Sequence, residues 1–570
     1  MVDKKRYYIK KSLGHIAVVI GILLAINFIL SKWIIRIDLT EEKRFTLTTA
    51  TKNLLGKLDA PLTIDIYLEG KDLPAGIKKI KNATADLLKE FSIYAHGNIS
   101  YNFIDINNIE SEEDKEAKQK ELISYGLSPI NLQVNAADGY KEKLIFPGAI
   151  FNYKGKKIAV QLLENQSAYG TQGALDNSVS FLEYKSINAI HKLTQDHPVN
   201  IGFLQGQGEA QPPQLADMLE TLVKQNFHVQ GVELSHDTLL HQNISALIVA
   251  KPTLPFSEED KAVIDQYVMQ GGKILWMVDN IIADMDSFKL ASSIFAIPRT
   301  LNLDDMLFRY GVRINSDILL DLYCNPIPIV EEINGNPETR LYPWTMYPLV
   351  QSVSKHPLVR NLDPVMLRFA GSIDTIKLPG VQKTILYTGS QYCRLQRTPF
   401  QIFLEGAKQK PLPELYNAKF VPVAVLLSGT FKSHYAQRMT TNLREAIARQ
   451  STSPILAQSL PTKMIVVSDG DVMINEFDQN GIPMPLGYYK YTKETFANKE
   501  FLLNCVQYLT DDFGLIEARN RETRMRLLDK AKLLSQKSLW QIINIGIPIL
   551  LLLFGGIWYT RSRKSKYATK

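Results

Sequence analysis

Polar and apolar positions alternate most clearly just after residue 60. There "PLTIDIYLEG" sets Leu62, Ile64, Ile66 and Leu68 on one face, as a half-buried strand requires. Upstream, "RFTLTTATKNLLGKL" spaces Leu47, Leu54, Leu55 and Leu58 as a short amphipathic helix. The same reading gives a helix near 77–94, a strand over "ISYNFIDI", a charged helix near 110–124, and strands near 129–135, 143–151 and 157–162. These elements make a first α/β domain over 45–165. A second begins with strand 199–204, followed by a turn, helix 213–226, strands 228–234 and 245–250, helix 257–270 and strand 273–278. Strands that alternate with helices predict a mostly parallel sheet covered on both faces. In "SEEDKAVIDQYVMQGG", Ser257 is placed to cap a helix, Glu258, Glu259 and Asp260 suit its positive end, and Gly271 supplies a left-handed stop.

From 300 to 460 the pattern is less regular, with prolines crowded between 326 and 364 and strand-like runs near 365–369, 384–388 and 421–427. "TKMIVVSDGDVM" then adds a buried strand with acids at its carboxyl end, and "ANKEFLLNCVQYL" a helix. This region is expected to complete the second sheet, so the second domain covers 195–515 with irregular insertions. A charged juxtamembrane helix over 516–538 follows.

The two ends carry the longest apolar runs. Residues 13–35, "LGHIAVVIGILLAINFILSKWII", and 539–559, "LWQIINIGIPILLLLFGGIWY", are each long enough to cross a hydrocarbon core of roughly 30 Å as a helix. Pro548 is tolerable there as a kink. The first run exceeds a signal-peptide core and no small-residue cleavage site follows it, which predicts a retained anchor. Asn27 inside it is a polar group in hydrocarbon, with a hydrogen bond to offer a partner helix. Lys4, Lys5, Arg6, Lys10 and Lys11 precede the first run, and Arg561, Arg563, Lys564 and Lys566 follow the second. The positive-inside rule therefore puts both tails, 1–12 and 560–570, in the cytoplasm and the bulk in the periplasm, with the chain in the inner membrane. The basic cluster from Arg519 to Lys537 on the other flank argues the opposite way. It weighs less, because the first helix usually sets orientation.

Composition excludes more than it suggests. A net charge of +7, from 65 basic and 58 acidic residues, is too weak a bias for a nucleic-acid surface, and no basic stripe interleaves with aromatics. Cys324, Cys393 and Cys505 are widely separated, so neither a disulfide framework nor a metal knuckle is indicated. The run "ESEEDKEAKQKE" is most simply a solvated helix face. No HExxH occurs, and His191 with His197 lacks a third ligand.

Most candidate chemistry converges on "PVNIGFLQGQGEAQPPQ". A phosphate loop would need a lysine and a hydroxyl after its last glycine, and Glu209 would instead repel phosphate. The dinucleotide fingerprint lacks its third glycine. An esterase elbow lacks its serine, Gln207 standing between the glycines. Turn chemistry is the favoured reading. A second remains open, because ligands of open α/β sheets sit beyond the carboxyl ends of strands, where Glu209, Asp279, Asp469 and Asp471 could gather around a cation or polar ligand. The same acids would serve a membrane-tethered hydrolase.

Several stretches together, "VNIGFLQGQGEA", "LIVAKPTLPFSEEDKAVIDQYVMQGGKILWMVD", "DDMLFRYGVRINSDILLDLYC", "YPWTMYPLVQSVSKHPLVRNLDPV", "MIVVSDGDVMINE" and the opening "FTLTTATKNLLGKLDAPLTIDIYL", resemble the gliding-motility-associated ABC transporter auxiliary component, GldG. The likeness runs over nearly the whole chain. It implies a non-catalytic subunit without a cofactor, working beside an ABC permease, a cytoplasmic ATPase, membrane lipid and other gliding or envelope proteins. It also implies a thioredoxin-like first domain without redox cysteines, and a second domain of glutamine-amidotransferase-like or flavodoxin-like sheet without the nucleophile.

Overall fold

The computed structural model describes residues 46–567 except 71–72, 137–138, 164–169, 196–197, 235–242, 290, 334–335, 451–452, 512 and 521–536, together with positions 14, 18 and 20–22. Those five early positions are helical. The rest of the expected first span, with Asn27, lies outside the described residues. Met1–Arg521 and Glu522–Lys570 are separate compact units.

The first sheet grows from the alternation seen at residue 62. Helix α1 (Thr49–Leu55) leads into strand β1 (Leu62–Ile66), and helix α2 (Ala75–Tyr94) carries the chain to β2 (Ile99–Phe103). Helix α3 (Glu112–Ser124) follows, with Ser111 Oγ capping it and its charged face in solvent. After a hairpin of Ile130–Ala136 and Gly139–Ile145, β3 (Gly148–Tyr153) and β4 (Lys156–Gln161) complete the order β2-β1-β3-β4. Strands β1 and β2 are parallel, and β3 is antiparallel to both β1 and β4. Leu62, Ile64, Ile66 and Leu68 are all buried, as their period predicts.

Helix α4 (Gly170–Thr194) occupies the stretch between the two expected domains, which the sequence reading left unassigned. Its Leu182, Ile187, Ile190 and Leu193 join the core of the first sheet. Its Tyr184 packs with Ile516 and Ala518 and donates a 2.7 Å hydrogen bond to Gln507, which lies in the helix Asn498–Thr510. Its buried polar side chains find partners: Glu183 accepts from the Thr48 N–H and the Thr51 hydroxyl, and Ser178 and Ser180 donate to carbonyls one turn back.

The second sheet has seven strands. They are β5 (Val199–Gln205), β6 (Phe227–Glu233), β7 (Ala246–Ala250), β8 (Ile274–Met277), β9 (Val381–Thr388), β10 (Pro422–Gly429) and β11 (Thr462–Val467), in the order β9-β10-β11-β8-β7-β5-β6. The five strands from β11 to β6 are mutually parallel, while β10 and β9 add an antiparallel edge. Helices α5 (Ala216–Lys224), α6 (Glu258–Met269) and α7 (Asn498–Thr510) cover its faces.

Period-2 geometry splits the central strands between two cores. Ala246, Ile248, Leu275, Met277, Ile465 and Val467 face one layer, and Leu247, Val249, Ile274, Trp276, Met464 and Val466 face the other. Each Val, Ile, Leu or Met side chain among them contributes about 1.5–3 kcal/mol on burial. The capping expected for α6 is present: Ser257 Oγ accepts from the Asp260 N–H at 3.0 Å, and Gly271 has φ +93°. Between β8 and β9, and again between β9 and β10, the chain leaves the sheet to build small antiparallel pairs around a separate core that includes Ile318, Ile327, Trp344 and Tyr489.

Two expectations near the carboxyl end are revised. Leu515–Asn520 forms a 3₁₀ turn instead of the start of a long charged helix, because Leu515, Ile516 and Ala518 are buried against α4 and the first core. The remainder of the expected 516–538 helix, up to residue 536, lies outside the described residues. A final helix, α8 (Lys537–Tyr567), contains Pro548 and runs on through the expected tail. Within it, Ile542–Ser565 is long and apolar enough to cross a membrane, the one such helix among the described residues.

Candidate functional site

The parallel strands deliver their acids to one edge. Asp279 follows β8, and Asp469 and Asp471 follow β11, so adjacent strands set these side chains side by side. One carboxylate oxygen from each lies within 4.8 Å of the others. Asp469 is fully buried and accepts from the Arg368 N–H at 2.5 Å and the Asp471 N–H at 2.7 Å. Asp279 accepts from the Gly470 N–H at 2.5 Å. Gly470 is required by close approach, since a Cβ there would stand 2.6 Å from Lys251 Cβ.

Lys251 is the residue the sequence reading missed. It follows β7 directly, with a positive φ of 54°, and aims its ammonium into the acids. It is ion-paired with Asp471 and stands 3.6 Å from Asp279. Burial opposes its charge, but Asp471 and Asp279 outweigh that and hold it above the usual lysine range. Burial and the neighbouring Asp471 push Asp279 up to about 6. Burial, followed by Asp471 and Asp279, raises Asp469 as well. A second cation, Arg368, ion-pairs with Glu476 and lies over the Tyr347 ring at 5.6 Å.

Three converging carboxylates are a donor set for a hard cation. Here the Lys251 ammonium already contacts two of them. The cluster therefore ties the ends of β7, β8 and β11 to the inserted segment around Arg368. Ser468 strengthens the tie by donating to the Gly371 carbonyl at 2.6 Å.

Glu209 does not join the other three acids. Its carboxylate turns back into its own loop and accepts from the Gln207 N–H at 2.9 Å. Gly206 and Gly208 have φ of +114° and +71°. A Cβ on Gly208 would meet Thr253 Oγ1 at 2.2 Å. Thr253 and Leu254 both donate their N–H groups to the Gln207 carbonyl. The glycine-rich stretch is thus a turn clasped by the loop after β7, and an anion of the chain fills its backbone donors. Burial, with Asp260 adding to it, raises the Glu209 carboxyl above its ordinary range.

A family model described as an ABC-type uncharacterized transport system matches residues 198–505, more than half the chain. The chain belongs to that family. In this ABC transport-system protein a domain of unknown function also matches residues 41–152, which hold the first sheet up to β3. An uncharacterized protein of Borreliella burgdorferi is 22% identical to it over 547 residues, 94% of this chain and 95% of that one. Among solved structures, the "mmIFT52 N-terminal domain" resembles it with a TM-score of 0.31 and 13% identity, covering 55% of this chain and 97% of that domain. The exo-beta-1,4-mannosidase Op5Man5 from Opitutaceae bacterium strain TAV5 does so with a TM-score of 0.19 and 11% identity, over 53% of this chain and 35% of the enzyme. Neither structural resemblance is close enough to bear on fold or activity. The family assignment is that of an auxiliary component of ABC-type transport, and it implies association with transporter components.

Proposed function

We propose that the protein is a non-catalytic, membrane-anchored subunit of an ABC-type transport complex of the gliding-motility kind, partnered by a permease and a cytoplasmic ATPase. The observation that carries this reading is a spanning-length apolar helix, α8, on a family member whose best-formed carboxylate cluster is closed by its own lysine. Residues 13–35 serve as a second span. Both tails are cytoplasmic, and the body acts in the periplasm as a surface for cargo or envelope partners. The order β2-β1-β3-β4, with a helical crossover between parallel β1 and β2, supports a thioredoxin-like first domain, and cysteines occur only at 324, 393 and 505. The five parallel strands support the amidotransferase-like or flavodoxin-like reading of the second. The division into 45–165 and 195–515 is then two cores bridged by α4.

Affinity purification after mild solubilisation tests the complex. A permease and an ATPase should co-purify, and their absence would refute the subunit role. A membrane-tethered hydrolase is the competing reading, favoured by a carboxyl pushed up to about 6 beside two more acids. It requires that Asp279→Ala or Asp471→Ala abolish function in a chain that remains folded, and retained function excludes it.

A further inference from the structure

The edge of the sheet that carries Asp279 also opens into a cavity of about 1140 Å³. Asn280, the residue after Asp279, lines it, and so does Pro422 at the start of β10. Because β10 runs antiparallel to β11, with Ala424 opposite Val467, its first residues lie at the carboxyl ends of the parallel strands. Open α/β sheets place their ligands at that edge.

The charges lining this cavity divide into satisfied and unsatisfied groups. Asp317 is buried and accepts from the N–H and hydroxyl of Ser372, both at 2.8 Å. Asp374 is paired with Arg313 at 2.5 Å. Asp305 is paired with Lys261 and faces His434. Arg397 and Lys419 also line the cavity, and among the described residues neither side chain has an ion pair or hydrogen-bond partner. Beside them stand two exposed rings, Phe308 at 51% and Phe420 at 52%. Phe420 is held at φ +51°, a conformation unfavourable for a bulky residue, by a 2.9 Å hydrogen bond from its N–H to the Ser390 carbonyl. The strained backbone displays a phenyl ring in the cavity next to Lys419.

We propose that this cavity binds an anionic ligand with an apolar body, the acid group held by Arg397 and Lys419 and the body lying against Phe308 and Phe420. A guanidinium and an ammonium are matched to carboxylate or phosphate oxygens, and the rings bury the acyl or aryl part. Asp304, on a different element of the same cavity, repels the acid group and so sets the direction in which the ligand lies. The site is distinct from the Lys251 cluster. It stands or falls independently of the transport-subunit reading, because a protein without a permease partner could bind such a ligand equally well.

The test is calorimetric titration of the full chain, in lipid nanodiscs, with phenyl phosphate, inorganic phosphate and benzyl alcohol as separate probes. Saturable binding of phenyl phosphate that exceeds either half-ligand is expected. Arg397→Gln and Lys419→Gln should each weaken it about tenfold or more. Lys355→Gln, an exposed cation outside the cavity, should leave it unchanged. Both cavity substitutions replace exposed side chains, and circular dichroism confirms that the variants are folded. Binding in the unsubstituted chain should also weaken as salt is raised. The proposal is overturned if phenyl phosphate does not saturate, if inorganic phosphate binds as tightly, or if folded Arg397→Gln and Lys419→Gln chains bind as the parent does.

Discussion

Replacing Lys251 by Met tests whether the acid cluster is closed from within. The substitution keeps the apolar stem, which is needed because a Cβ on Gly470 would lie 2.6 Å from Lys251 Cγ, and removes only the ammonium. Three carboxylates with oxygens inside 4.8 Å then lose the cation paired with Asp471 and 3.6 Å from Asp279. Breaking a buried pair from one side costs about 3–5 kcal/mol, and the 22% exposure of the lysine side chain argues for the lower figure.

The loss has a pH signature. Asp279 titrates at about 6 when folded and 3.8 by reference, so its ionisation destabilises the fold as pH rises through about 6. In Lys251→Met the deficit should be largest at pH 8 and should shrink on acidification through 6, as the carboxyl takes a proton. Thermal melts of the full chain in detergent across that range are the assay, repeated with millimolar magnesium or calcium. The variant, with its ammonium gone, should gain stability from divalent cations, and the parent should not. A variant as stable as its parent at pH 8, or one with equal loss at pH 5 and pH 8, would refute the argument.

Other outcomes follow from the same geometry. Gly208→Ala should destabilise by about 1–3 kcal/mol in denaturant titrations, since φ is +71° and the new Cβ would meet Thr253 Oγ1 at 2.2 Å. Lys192 is buried in α4 and its ammonium is depressed to about 7 by that burial, so folding carries its full desolvation cost below pH 7 and progressively less toward 10.5. Lys192→Met should therefore melt higher than the parent at pH 6 and lose that advantage by pH 10. Asp265→Ala should cost about 3 kcal/mol or more, because it strands the Ser433 and Tyr310 hydroxyls and the His434 N–H. A chain ended at Arg521 lacks α8. Carbonate extraction should still find it in the membrane fraction if residues 13–35 also span, and release at that step would leave α8 as the sole anchor.

The strands of both sheets could be read from the sequence because their periods are simple: alternation for β1, which has one face on the core, and continuous apolar runs for β7, β8 and β11, which are covered on both faces. Helix α4 could not, for the opposite reason. It is buried from two sides, and its Glu183 and Lys192 sit inside the protein with partners only the fold supplies, while Ser178 and Ser180 bury hydroxyls bonded to the helix's own carbonyls, so no single apolar stripe marks it.

Asp279, Asp469 and Asp471 were legible because each ends a strand of one parallel sheet. Lys251 ends the neighbouring strand in "LIVAKP" and obeys the same rule, but a search for acids alone passes over it. Arg368 had no local signal, since it belongs to the irregular insertion and meets Asp469 only through tertiary packing. Glu209 was placed with the acids by position alone, and the turn it belongs to folds it back onto Gln207.

Helix α4 gives the two sheets a common spine. Neither body can be cut free at a linker, because the 25 residues that would have been a tether complete one hydrophobic layer and bolt onto the other through Tyr184. One element therefore serves both hydrophobic layers, so a substitution in it bears on the packing of both sheets at once.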